Sequence, residues 1–296
     1  MTIAVSVKVH DGLVIASDSA LTMVRGGDKI LTVYNHGNKI FNLHKDLPLA
    51  GMFWGVGNIN HSSISTLTKD LRRRFAGEDS AHKDWHLNRD SFTIEAVAQK
   101  TRQFLYEELY QPFYENNPQK PDMGFMVGGY SANESLPEVW HINIINGECL
   151  KPELISGKED VGIKWDGEPE ALNRLLLGRP GSMLSALLDY DPNKTIAEVI
   201  SLINHLDQYA SASIYQAPMP IKDAIDLAEW LVHTSIMWSR FTPDPPTVGG
   251  PIEIAAITKH EGFKWIKRKY YFDRQLNPGG GGSYEAEGTI RIDSGA

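Results

Sequence analysis

The first eighteen residues constrain the fold most. Ile3, Val5, Val7 and Val9 alternate with Ala4, Ser6 and Lys8, the period-two pattern of a β-strand. Asp11-Gly12 follows, a strong short hairpin signal, and Leu13-Val14-Ile15-Ala16 then runs apolar into Ser17-Asp18-Ser19. A chain that opens this way commits to an antiparallel strand pair before any helix can form. Lys39 to Leu43 and Leu49 to Trp54 read as two more strands.

Helices come next. Ile64, Leu67, Leu71 and Phe75 are spaced three or four apart, one apolar stripe, with Arg72-Arg73-Arg74 in the last turn, where cations suit the helix dipole. A second helix is expected from Thr93 to Tyr110. Strands return at 124–129 and 139–144, and the Asn146-Gly147 step suggests a turn into Cys149. Further helices are expected over 169–177, 195–206 and 221–238, before a closing strand pair at 252–257 and 263–266. This order of strands, helices, strands, helices, strands suits two stacked sheets with helices outside both. The expected class is therefore α/β, a four-layer α/β/β/α sandwich. It does not suit the strict βαβ alternation of a dinucleotide-binding fold.

Composition narrows the function classes. The chain has 296 residues, enough for a large core without disulfides. A single cysteine, Cys149, excludes an intrachain disulfide framework and a cysteine-based zinc site. The net charge of −8 argues against general nucleic-acid binding. No basic, apolar leader opens the chain and no run approaches a membrane span, so the expected compartment is the cytoplasm. Four consecutive glycines, Gly279 to Gly282, mark a tail. The expected division is a domain over 1–268 and a C-terminal extension over 269–296.

Thr2 carries the sharpest chemical suggestion. Removing Met1 would place an α-amine, with a pKa of about 7.7–8, beside the hydroxyl of the same residue. That amine can act as general base for its own hydroxyl nucleophile. Many chains begin Met-Thr, so Thr2 by itself says little. His82 and His86 lie four apart but lack a third ligand, and no cofactor or metal is expected.

The ungapped stretch from Thr2 to Asp18 resembles the mature N-terminus of proteasome β subunits, a family of N-terminal-nucleophile hydrolases. Gly37-Asn38-Lys39-Ile40-Phe41 is similar to the family's segment with the catalytic lysine. Leu49 to Gly55 resembles the strand that ends at the oxyanion glycine. Phe125 to Tyr130 and Val248 to Thr258 resemble its central and closing strands. The resemblance covers residues 2–268. It implies Thr2 as nucleophile, Lys39 as a nearby cation, Asp18 as its partner and the Gly55 N–H as oxyanion donor. Two positions depart from the family pattern: Asp166 stands where a serine is usual, and Val248 sits where the family has another serine, so that Asp244 could be the family's acid only if Pro245-Pro246 shift the loop by one residue. Asp166 and Asp244 are thus secondary candidates. Without a propeptide, maturation would rest on loss of Met1, as in the bacterial HslV-type subunits.

The resemblance implies a threonine-type endopeptidase acting on peptides or unfolded proteins inside a homo-oligomer, with an ATPase as candidate partner. A small-molecule amidase of the same fold and a non-catalytic structural subunit are the alternatives.

Overall fold

The computed structural model describes residues 2–25, 29–243 and 245–270. In chain order the elements begin with β1 (Ile3–Val9), β2 (Gly12–Ser17), β3 (Leu21–Arg25), β4 (Lys29–Tyr34), β5 (Ile40–Asn42), β6 (Leu49–Gly55), β7 (Asn58–Ile59) and β8 (Ser62–Ser63). Helix α1 (Ile64–Phe75) and helix α2 (Ile94–Arg102) follow, then a π-helical stretch over Gln103–Tyr110 and α3 (Gln111–Tyr114). Next come β9 (Met123–Gly129), β10 (Glu138–Ile145), β11 (Glu148–Cys149), β12 (Glu153–Ser156) and β13 (Gly162–Gly167). The chain continues through α4 (Glu170–Leu176), α5 (Met183–Tyr190), α6 (Ile196–Ala210) and α7 (Ile221–Phe241) to β14 (Glu253–Thr258) and β15 (Gly262–Lys267).

The four-layer sandwich expected from the element order is corrected here. The molecule is sheet-rich, and among the described residues its strands divide among four separate antiparallel sheets. One has the order β13-β1-β2-β14-β15, and another runs β11-β10-β9-β6-β5 with β12 also paired to β10. The hairpins β3-β4 and β7-β8 stand apart as two-stranded sheets. Helical cover is uneven. Helix α7 packs its Ala224, Ala228, Leu231 and Val232 against Val5 and Val7 of β1, and α1 and α2 pack with Phe53 and Phe125 of the larger sheet. In contrast α5 buries no residue and α6 buries only Val199 and Ile203. The apolar periodicity of the 183–210 region is real but shallow, so these helices do not complete a layer.

Strand β1 carries the site and differs from a simple half-buried strand: all seven of its residues are buried. Its odd residues meet α7, while Ala4 packs with Met52 and Met126 of the other large sheet. That second face also takes Thr2, Ser6 and Lys8 out of water. The turn after β1 lies at His10 and Asp11, and Gly12 is the first residue of β2. Its glycine is needed by packing, because a Cβ there would lie 2.7 Å from the Ile257 carbonyl oxygen of β14. The expected Asn146-Gly147 turn joins β10 to β11, both residues having positive φ (52° and 84°).

Candidate active site

Asp18 is the hub of the site. It leaves β2 just after Ser17, and its carboxylate is fully buried. Oδ1 accepts from the Ile3 N–H at 3.1 Å and from Lys39 Nζ at 2.6 Å. Oδ2 accepts from the N–H groups of Ala20 and Gly249, each at 3.0 Å. A carboxyl group so supplied with donors is fixed in place, because its oxygens have partners without water.

Lys39 immediately precedes β5, and its side chain is also fully buried. Burial pushes its amine below the usual lysine range, and the Asp18 carboxylate opposes that push. Since Asp18 Oδ1 holds both the ammonium and the Ile3 N–H, Lys39 sits two hydrogen bonds from the peptide that joins Thr2 to Ile3. The structure therefore brings Asp18 and Lys39 together at the root of Thr2.

Thr2 is buried, and its carbonyl oxygen accepts from the Glu168 N–H at 2.8 Å. The Ile3 carbonyl accepts from Ser17 Oγ at 2.8 Å. On the other side stands Gly167, the last residue of β13, with φ +89°. A Cβ at 167 would lie 1.9 Å from the Thr2 carbonyl oxygen, so only glycine admits this approach. Sequence reasoning missed Gly167, because the strand that it ends has only two apolar residues to mark it.

Asp166 pairs across the ladder with Ala4. Its Oδ2 lies 3.7 Å from Nε2 of His141 on β10, and the Trp54 ring meets the His141 ring edge-on at 5.1 Å. Burial raises the Asp166 carboxyl to about 7 and lowers the His141 imidazole to about 4. The spacing is too long for a hydrogen bond, and both shifts favour the uncharged forms, so this is a polar contact between neutral groups near pH 6 rather than an ion pair.

Gly55 ends β6 at φ +89° and is exposed; a Cβ there would come within 2.5 Å of the Asp122 carbonyl oxygen. Asp244 lies outside the described residues, as do the four glycines of the tail. Val248 is buried, and the next residue, Gly249, donates to Asp18. His82 contacts Asp79 at 2.9 Å, and among the described residues no group of three or more His, Cys, Asp or Glu is placed to hold a metal ion.

No family model matches the chain, and no curated protein matches it. Among solved structures, the helical assembly of the Anbu complex from Pseudomonas aeruginosa is similar at 16% identity over 91% of this chain and 88% of that one, with a TM-score of 0.46. A likeness at that level carries no argument. The resemblance to proteasome β subunits is accordingly corrected: no family match supports it, and the chain is not assigned to that family. The roles of Thr2, Asp18 and Lys39 stand or fall on their geometry. Among the described residues no helix is long and apolar enough to cross a membrane.

Proposed function

We propose that the protein is a threonine-type amide hydrolase, acting on peptides or unfolded chains from Thr2 after Met1 is removed. The observation that carries this reading is the buried Asp18–Lys39 pair hydrogen-bonded to the Thr2–Ile3 peptide. Burying two charges is costly, and through Asp18 this pair is tied to the N–H of the residue that follows Thr2, which can present an amine and a hydroxyl together.

In the reaction the Thr2 α-amine takes the proton from Thr2 Oγ as the oxygen attacks the amide carbon. The Lys39 cation favours the neutral amine and stabilises the developing negative charge. The tetrahedral intermediate collapses to an ester on Thr2, and the leaving amine takes the proton from the α-amine. Water, deprotonated by the same amine, then hydrolyses the ester and restores Thr2. In this scheme Gly55 supplies an oxyanion donor, and Asp166 lines the site beside Ala4.

A homo-oligomer fits this reading. Tyr190 is 89%, Tyr209 80% and Phe241 75% exposed on α5, α6 and α7, and large aromatic side chains are enriched at interfaces between subunits.

The test is a peptidyl epoxyketone, which bonds to both the hydroxyl and the amine of an N-terminal threonine, followed by intact mass. The expected species lacks Met1, carries one adduct, and gives no adduct in Thr2→Ala. Hydrolysis that persists in Thr2→Ala overturns the reading.

A further inference from the structure

Lys269 follows β15 and ends in the same buried region. Its Nζ donates to Ser19 Oγ and to the Gly37 carbonyl oxygen, each at 2.5 Å. It lies 3.2 Å from Glu253 Oε2, an ion pair without hydrogen-bond geometry, and the two side chains are only 5% and 1% exposed. Ser19 Oγ donates to the Pro251 carbonyl oxygen, and the Ser19 carbonyl accepts from Gly37 N–H at 2.9 Å. Ser19 is the residue after Asp18, and Gly37 is two before Lys39. One ammonium thus ties together the two chain segments that deliver Asp18 and Lys39.

We infer that Lys269 is a positioning residue for the Asp18–Lys39 pair, a staple that sets the distance between the segment leaving β2 and the segment entering β5. Glu253 is its counter-ion, placed at the start of β14 where burial would otherwise leave the ammonium unpaired. The two pairs also feel each other: Lys269 pushes the Lys39 amine down and Glu253 pulls it up, both acting after burial and the direct Asp18 contact. A merely packing residue here would need neither the charge nor two acceptors from two different segments. This inference rests on the reading of Thr2 as nucleophile for its kinetic consequence, but not for its structural one.

The experiment uses the full chain with Lys269→Met and the double variant Lys269→Met/Glu253→Gln, the second removing the carboxylate that the first would strand. Steady-state kinetics are paired with amide hydrogen exchange at Ile3, Ala20 and Gly249, the three N–H groups bonded to Asp18. Both variants are expected to lose 10- to 100-fold in kcat with KM within twofold, and to exchange these amides at least 10-fold faster. The denaturation midpoint is expected to recover in the double variant while kcat does not. Recovery of kcat together with stability would make Lys269 structural only and overturn the inference, as would unchanged exchange. An inactive wild type with accelerated exchange in the variants would overturn the reading of Thr2 while supporting the staple.

Discussion

Replacing Asp18 by asparagine tests the hub of the site. Asparagine is nearly isosteric, so little cavity arises, and the cost is electrostatic. The carboxylate accepts four hydrogen bonds, one of them from a lysine that is itself fully buried. The substituted amide would keep one acceptor oxygen and turn an NH₂ group toward donors. Lys39 would be left charged without a partner, and breaking a buried pair in this way typically costs about 3–5 kcal/mol. That is a large share of the roughly 5–15 kcal/mol that holds a domain together. Lys39→Met should cost less, about 2–3 kcal/mol, because the remaining carboxylate still has three backbone donors. The double variant strands no charge, so the two effects should couple by at least about 2 kcal/mol. Urea unfolding followed by tryptophan fluorescence measures all three. Single-variant costs that simply add, to within about 0.5 kcal/mol, would show that the pair is not coupled in the fold and refute the electrostatic account.

Gly167→Ala should cost at least about 2 kcal/mol and move Thr2, since its Cβ would overlap the Thr2 carbonyl and its φ is +89°; a stable, fully active variant would separate β13 from the site. The His141 imidazole titrates near 4 in the fold, below its unfolded value of 6.5, so stability is intact above pH 6.5 and falls by up to about 3 kcal/mol as pH drops to 4. His141→Gln should flatten that loss. Asp166 has the opposite sign: its folded value of about 7 lies above the unfolded 3.8, so stability is lost as pH rises from about 4 to 7, and Asp166→Asn should remove the loss. Urea midpoints from pH 4 to 8 read both effects. Light scattering at micromolar concentration should report several copies per particle, and a clean monomer would leave the exposed apolar surface of α5, α6 and α7 unexplained.

What was legible in the sequence was local. Period two marked β1, the hairpin signal and the apolar run after it marked β2, and 3.6-residue periodicity marked α1, α6 and α7 to within a few residues. The strand carrying Asp166 was not legible, because Gly162-Ile163-Lys164-Trp165-Asp166-Gly167 has only two apolar residues and a glycine at each end. Its strand state comes from pairing with β1, a tertiary effect that overrides weak local preference. Pair β3-β4 was missed for a related reason: Met23, Leu31 and Tyr34 remain exposed, so these side chains give the strands no alternating buried face to read. Helix α5 was missed too, and its lack of any buried residue says why.

The site itself is the least local part of the molecule. Asp18, Lys39, Gly249 and Lys269 come from four segments separated by up to 251 residues, and Lys39, Gly249 and Lys269 each join through hydrogen bonds that no sequence window contains. The expected division puts residue 269 at the start of an extension, and nothing in Lys267-Arg268-Lys269 singles out its last member. In the fold that last member is drawn inward, to a carboxylate sixteen residues earlier, at the start of the neighbouring strand β14. A lysine is removed from water when the fold supplies a counter-charge and acceptors for it, and here the acceptors are a serine hydroxyl and a backbone carbonyl from distant segments. The same holds for Lys39, whose burial makes sense only with Asp18 beside it. Two lysines and two acids buried in one region, as the pairs Lys39–Asp18 and Lys269–Glu253, balance one another in charge. That balance lets so polar a centre persist beside the apolar contacts of β1, and it makes the centre sensitive to the loss of any one member.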